Sequence, residues 1–222
     1  MVMNQRTRKR GLDPRFPRLL GDRLCLDFAN TIEGPRSASP EDFLHDYADL
    51  VRWGHHTGTL SNAATERLIQ LAGESPRIAA IVFTRGRALR AAITRVYSAI
   101  AAGAAPKPSD LALLQSEYRI AMRHGELIHG TDGYAWDWSD EGAALDRPLW
   151  PIARSAIDVL TQDDLTRVKE CPGADDCGWL FYDTSKNGSR RWCSMEGCGS
   201  RLKMRRQYAR KKERAKDDQL IR

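Results

Sequence analysis

Four of the five cysteines fall in the last quarter of the chain, as Cys171, Cys177, Cys193 and Cys198, with five, fifteen and four residues between them. Two close pairs separated by a span that can fold back is the pattern tetrahedral zinc coordination needs, each pair gripping from a tight turn. Pro172, Gly173 and Gly178 supply turn residues at the first pair, and Gly197 and Gly199 flank the second. Four thiolates close the shell and leave no position for water, so the expected cofactor is one structural Zn²⁺ per chain, with no catalytic role. Reduced core thiols and a redox switch are the competing readings of the same spacing. Cys25 stands in an apolar run and reads as a buried, inert thiol.

After Cys198 the pattern is helical. Lys203, Arg206, Arg210 and Arg214 fall in one sector at spacings of three and four, Arg201 lies in the first turn, and Arg190 and Arg191 come from the span between the cysteine pairs. Like charges so close repel on an isolated helix, and a phosphate backbone removes that repulsion. These seven residues are the candidate nucleic-acid contacts, with double-stranded DNA the expected partner. Two structural readings compete. Four thiolates on Zn²⁺ leave a net negative charge that Arg190, Arg191 and Arg201 could neutralise, and the outer face from Arg206 to Lys216 could be a solvated basic tail. The charge distribution favours a polyanion site. Residues 1–18 hold six basic residues against one acidic and residues 171–222 hold 13 against seven, whereas residues 19–170 are net acidic.

The elements that must position these groups follow from periodicity. In Leu24–Ala29, Leu24, Leu26 and Phe28 alternate with Cys25, Asp27 and Ala29, which favours a short strand over a helical start. Ser39-Pro40 reads as the cap of a helix carrying Phe43, Leu44, Tyr47, Leu50, Val51 and Trp53. Ser61 caps the next helix. A long helix from about Pro76 to Ala102 shows a 3.6-residue apolar period, and another follows from Ser109-Asp110. Residues 126–129 and the alternating Gly133–Trp138 form a β-hairpin, and helices start at Trp150-Pro151 and Asp163. In the cysteine module, strand 179–183, an Asn187-Gly188 turn and strand 190–193 precede the helix, so knuckle, hairpin and helix make a treble clef. The fold class is therefore α+β: a mostly helical N-terminal domain with a small sheet, then a treble-clef finger. The boundaries are a flexible basic arm over 1–18, the helical domain over 19–168, the finger over 169–216 and a tail over 217–222.

The rest of the sequence limits function. No apolar run is long enough to span a bilayer and the N-terminus has no secretory pattern, so a cytoplasmic, nucleoid-associated protein without a membrane partner is expected. No nucleophile with a base, Gly-rich phosphate loop or usefully paired carboxylates is present, so no catalytic residues are assigned. Asp27, Asn30 and Thr31 directly follow an apolar run, and Trp136 and Trp138 could wall a pocket with them, which makes these five a candidate effector site. The competing reading has Asp27 and Asn30 tying down a turn. A small-molecule effector and a second copy of the chain are the further candidate partners. An RNA-binding accessory protein and a small-molecule enzyme with an appended finger are the alternative functions.

Cys177-Gly-Trp-Leu-Phe, Asp183-Thr-Ser-Lys, Arg190-Arg-Trp-Cys-Ser-Met195 and Cys198-Gly-Ser-Arg201 resemble the CGNR zinc finger. Leu24-Cys-Leu-Asp-Phe-Ala-Asn-Thr31 and Ala88-Leu-Arg-Ala-Ala-Ile93 resemble its usual N-terminal partner, the ABATE domain. The resemblance implies a stress-related bacterial transcriptional regulator with a treble-clef finger. Ser200 occupies the position of the family's eponymous Asn, and its place in the turn predicts an effect on a local cap rather than on the metal.

Overall fold

A computed structural model describes residues 13–34, 39–130, 133–138, 144–173, 177–205 and 207–208. The helices are α1 Leu24–Ala29, α2 Tyr47–His56, α3 Asn62–Glu74, α4 Pro76–Ala101, α5 Pro108–Met122 and α6 Trp150–Gln162. Three two-stranded antiparallel ladders accompany them: β1 Ile32–Glu33 with β2 Glu41–Asp42, β3 Glu126–Gly130 with β4 Gly133–Asp137, and β5 Val168–Glu170 with β6 Leu180–Tyr182. A final helix covers 200–205. No helix among the described residues is long and apolar enough to cross a membrane.

The long α4 forms because Pro76 starts it and Val82, Leu89, Ile93 and Val96 recur on one buried face. Against that face packs α1, which also touches α6 and β6. The alternation in Leu24–Ala29 favoured a strand, and the segment is instead a helix. All six of its residues are buried, including Cys25 and Asp27. Enclosure on every side erases the polar face whose spacing would have told helix from strand. The second correction concerns Ser39-Pro40. The chain forms β2 there and the helix begins only at Tyr47, where the Asp46 side chain accepts the amide of Asp49. Arg90 explains the delay: this guanidinium, buried in α4, holds Asp42 through Nη1 (2.7 Å) and Nη2 (2.5 Å), so Asp42 serves a core ion pair rather than a helix turn. Pro108, not Ser109, opens α5, and the short helix expected from Asp163 is a 3₁₀ turn over Leu165–Arg167. The expected hairpin forms, with Leu127 opposite Trp136 and His129 opposite Tyr134, and every residue of both strands is exposed.

Two adjacent cores share β6. Leu180 and Tyr182 join Val168 and the helical core, whereas Phe181 joins Trp179, Cys171, Cys193 and Cys198. The period of two in a strand places one face on each core.

Candidate metal centre and nucleic-acid interface

β5 and β6 set up the first pair of thiols. The Cys171 amide donates to Trp179 O (2.8 Å), which extends the ladder past Glu170 and fixes Cys171 at its end. Gly173 follows in the knuckle, where an added Cβ would stand 2.8 Å from Cys198 Sγ and 3.1 Å from Cys177 Cβ. The turn closes only without a side chain there. The second pair comes from a π turn over Met195–Gly199, capped by Ser194, whose Oγ accepts the Gly197 amide (3.1 Å). Ser200 Oγ donates to Met195 O (2.9 Å). The residue at the family's Asn position is thus a local cap on the last turn before the helix.

The four Sγ atoms lie within 4.8 Å of one another. Cys177 and Cys193 are 3.7 Å apart and Cys193 and Cys198 3.6 Å. Sulfurs at the corners of a tetrahedron, ~2.3 Å from a central zinc, are spaced about 3.8 Å. A disulfide would need about 2.05 Å. The donor set therefore fits zinc.

A second residue organises the loop between the pairs. Asp183 is fully buried and accepts from Lys169 Nζ (2.6 Å), Ser185 N (2.9 Å), Ser185 Oγ (2.6 Å) and Arg190 N (2.9 Å). Burial alone would raise its carboxyl pKa. The Lys169 ammonium and the Ser185 donors outweigh burial and hold it far below the usual carboxylate range. Lys169 also donates to Gly188 O (2.6 Å) and Arg190 O (3.1 Å). This explains a further correction. Residues 190–193 form no strand, and β6 pairs with β5 instead of a second limb of a 179–193 hairpin. Side chains, not a ladder, satisfy the backbone of that limb. Sequence reasoning missed both Lys169 and Asp183. The Asp-x-Ser turn was visible in the sequence, but its lysine lies 14 residues upstream.

The ABATE model, described as "Putative stress-induced transcription regulator", matches residues 22–163, and the CGNR zinc finger model matches residues 167–211. The chain belongs to the ABATE family. It ends in a CGNR zinc finger, and the four cysteines of that finger hold one structural zinc. No curated protein matches the chain. Neither matched family is described as an enzyme family.

The candidate cationic residues of this ABATE–CGNR protein differ in how they are placed. Arg190 is engaged: it donates to Leu20 O (2.8 Å), Cys193 O (2.6 Å) and Trp192 O (3.0 Å), pairs with Asp22, and lies over the Phe181 ring at 4.3 Å. Its donors are used on these carbonyls and on Asp22, so Arg190 is occupied in holding the loop between the cysteine pairs. Arg191, over the Trp192 ring at 5.3 Å, is exposed, as are Arg201 and Lys203 at the start of the helix 200–205. Arg206, Arg210 and Arg214 lie outside the described residues.

The five candidate pocket residues also separate. Asp27 and Trp138 both line a cavity of about 690 Å³ bounded by Arg23, Arg154, Asp158 and Asp163. The other three are elsewhere. Asn30 exchanges two hydrogen bonds with the Leu180 backbone, Nδ2 to O (2.8 Å) and Oδ1 from N (2.9 Å). Thr31 Oγ1 donates to Phe28 O and accepts from Arg90. Trp136 sits on the exposed hairpin.

Proposed function

We propose that this zinc-binding ABATE protein is a regulator that binds duplex DNA through the helix following Cys198. The exposed Arg201 and Lys203, on a helix that follows directly from the turn holding the metal ligand Cys198, carry this reading. A helix anchored at its N-terminus by a folded module presents its side chains in a fixed direction, as groove-reading helices do. The aromatics of the finger argue against an RNA-stacking platform: Trp179 and Phe181 are buried with the cysteines rather than displayed.

Each phosphate contact displaces a counterion. With roughly four to six contacts, log affinity falls with log salt at a slope near −4 to −5. Changing Arg201 and Lys203 together to Ala is expected to flatten that slope by about two while zinc content stays at one per chain. Fluorescence anisotropy with a labelled duplex at several salt concentrations measures it. A slope that the double substitution leaves unchanged overturns the reading.

For the effector, the cavity beside Asp27 and Trp138 is the supported location, with an indole wall and charged rim suited to a small polar ligand. Trp138→Phe shrinks that wall and removes the donor to Ala121 O (3.0 Å). Thermal-shift screening of small metabolites against wild type and this variant tests it. A panel that shifts neither, or both equally, removes the cavity from consideration.

A further inference from the structure

Residues 13–22 lie against the finger. They are fixed from both sides. His56 takes the Asp13 amide on Nδ1 (3.0 Å), and Phe16 is buried against the same imidazole, with ring centroids 5.3 Å apart. On the other side Arg190 holds Leu20 O, and the Tyr182 amide donates to Gly21 O (2.8 Å). Between this segment and the finger lies a cleft of about 610 Å³. Arg15 and Arg18 stand on one wall, and Cys177, Glu196 and Arg201 on the other. Arg18 Nη1 reaches across to Glu196 Oε2 (2.9 Å), with both side chains largely exposed. Arg15 is exposed and holds Asp13, whose side chain is half-buried.

We propose that Arg15 and Arg18 form, with Arg201, a second set of phosphate contacts on the same DNA duplex, and that the Arg18–Glu196 pair is a latch which phosphate displaces. The inference rests on the DNA-binding reading and extends it to a bipartite site. Three guanidiniums on one cleft offer forked donors that match phosphate oxygens. Glu196, which holds Arg18, is an exposed carboxylate, and an exposed ion pair is weak enough to be exchanged for a polyanion. The sequence continues the same charge upstream, with Arg6, Arg8, Lys9 and Arg10. The finger alone therefore presents only part of the positive surface, and the fold supplies the rest by holding residues 20–22 to Tyr182 and Arg190.

The test uses the full chain, zinc-loaded, and a 20-base-pair duplex of mixed sequence as a probe (a length of about two helical turns). Arg15→Ala with Arg18→Ala is expected to flatten the salt slope by about 1.8 and weaken binding roughly 60-fold at 0.1 M salt. Glu196→Gln removes the carboxylate that competes for Arg18 and is expected to tighten binding a few-fold. Both substitutions change exposed groups, and unchanged zinc content and helical circular dichroism confirm the fold. If the Arg201–Lys203 double variant flattens the slope while the Arg15–Arg18 variant matches wild type, the bipartite site is overturned and the DNA reading stands. If wild type itself binds no duplex at low salt, both fall. Weaker binding by Glu196→Gln overturns the latch.

Discussion

Asp183 shows how one buried carboxylate can organise a loop. Its oxygens hold Lys169, Ser185 and the Arg190 amide, and through Lys169 the carbonyls of Gly188 and Arg190. Asp183→Asn keeps the shape but removes the charge facing the Lys169 ammonium. The expected cost is about 2–3 kcal/mol, read as a lower denaturant midpoint. The pH dependence has a definite sign. The folded pKa is depressed, so the contribution is fully present above the ordinary value near ~4 and is lost as pH falls through the folded value. The stability difference between wild type and Asp183→Asn is therefore constant above pH ~5 and shrinks below pH ~4. A difference that instead grows on acidification refutes the assignment. Cys25 gives a chemical counterpart. Burial pushes its thiol up to about 12, so it is expected to resist alkylation at pH ~8 in the folded chain even after chelation exposes the other four thiols. Mass spectrometry after iodoacetamide treatment counts four labels if this holds and five if it does not.

At the scale of elements, the contact between α1 and β6 is made by backbone mimicry. Asn30 presents its amide to Leu180 as another strand would, and no solvent reaches either partner. Asn30→Ala leaves a buried peptide N–H and C=O without bonds, at a cost of about 2–4 kcal/mol. Hydrogen exchange at Leu180–Tyr182 is expected to accelerate first, before exchange in α4. Uniform acceleration through both would mean that Asn30 supports only global stability. This is also where sequence reading reached its limit. The amphipathic α3 and α4 and the hairpin β3–β4 were legible because one face of each helix meets solvent and the hairpin alternates with turn glycines. α1 was not, because a fully buried segment carries no solvent face to set its period. The cysteines were legible because metal geometry demands a spacing, whereas the roles of Asn30 and Arg190 depend on partners 150 and 170 residues distant, which no local pattern encodes.

Across the whole molecule, the shared β6 sets what zinc removal should do. Separate cores would let the finger unfold alone over 171–216. Because Leu180 and Tyr182 belong to the helical core, chelation or Cys193→Ser is expected to release the knuckle and residues 190–205 while β5 and β6 stay protected. Hydrogen exchange with and without chelator checks this: full exposure of Leu180–Tyr182 would show that zinc, not the helices, holds the strand.

The strand shared by the two cores also bears on how such a protein can evolve. A zinc finger that folds around its own loop can be copied and spliced beside any neighbour. Here the finger match begins at residue 167, one position before β5, yet the edge of that sheet is completed by Asn30 and Gly21, and α4 packs against it. Moved elsewhere, it would carry an uncovered apolar strand with it. Mutations on either side of the seam must then be matched on the other, so the two modules are expected to change in step and to pass between genomes as one piece.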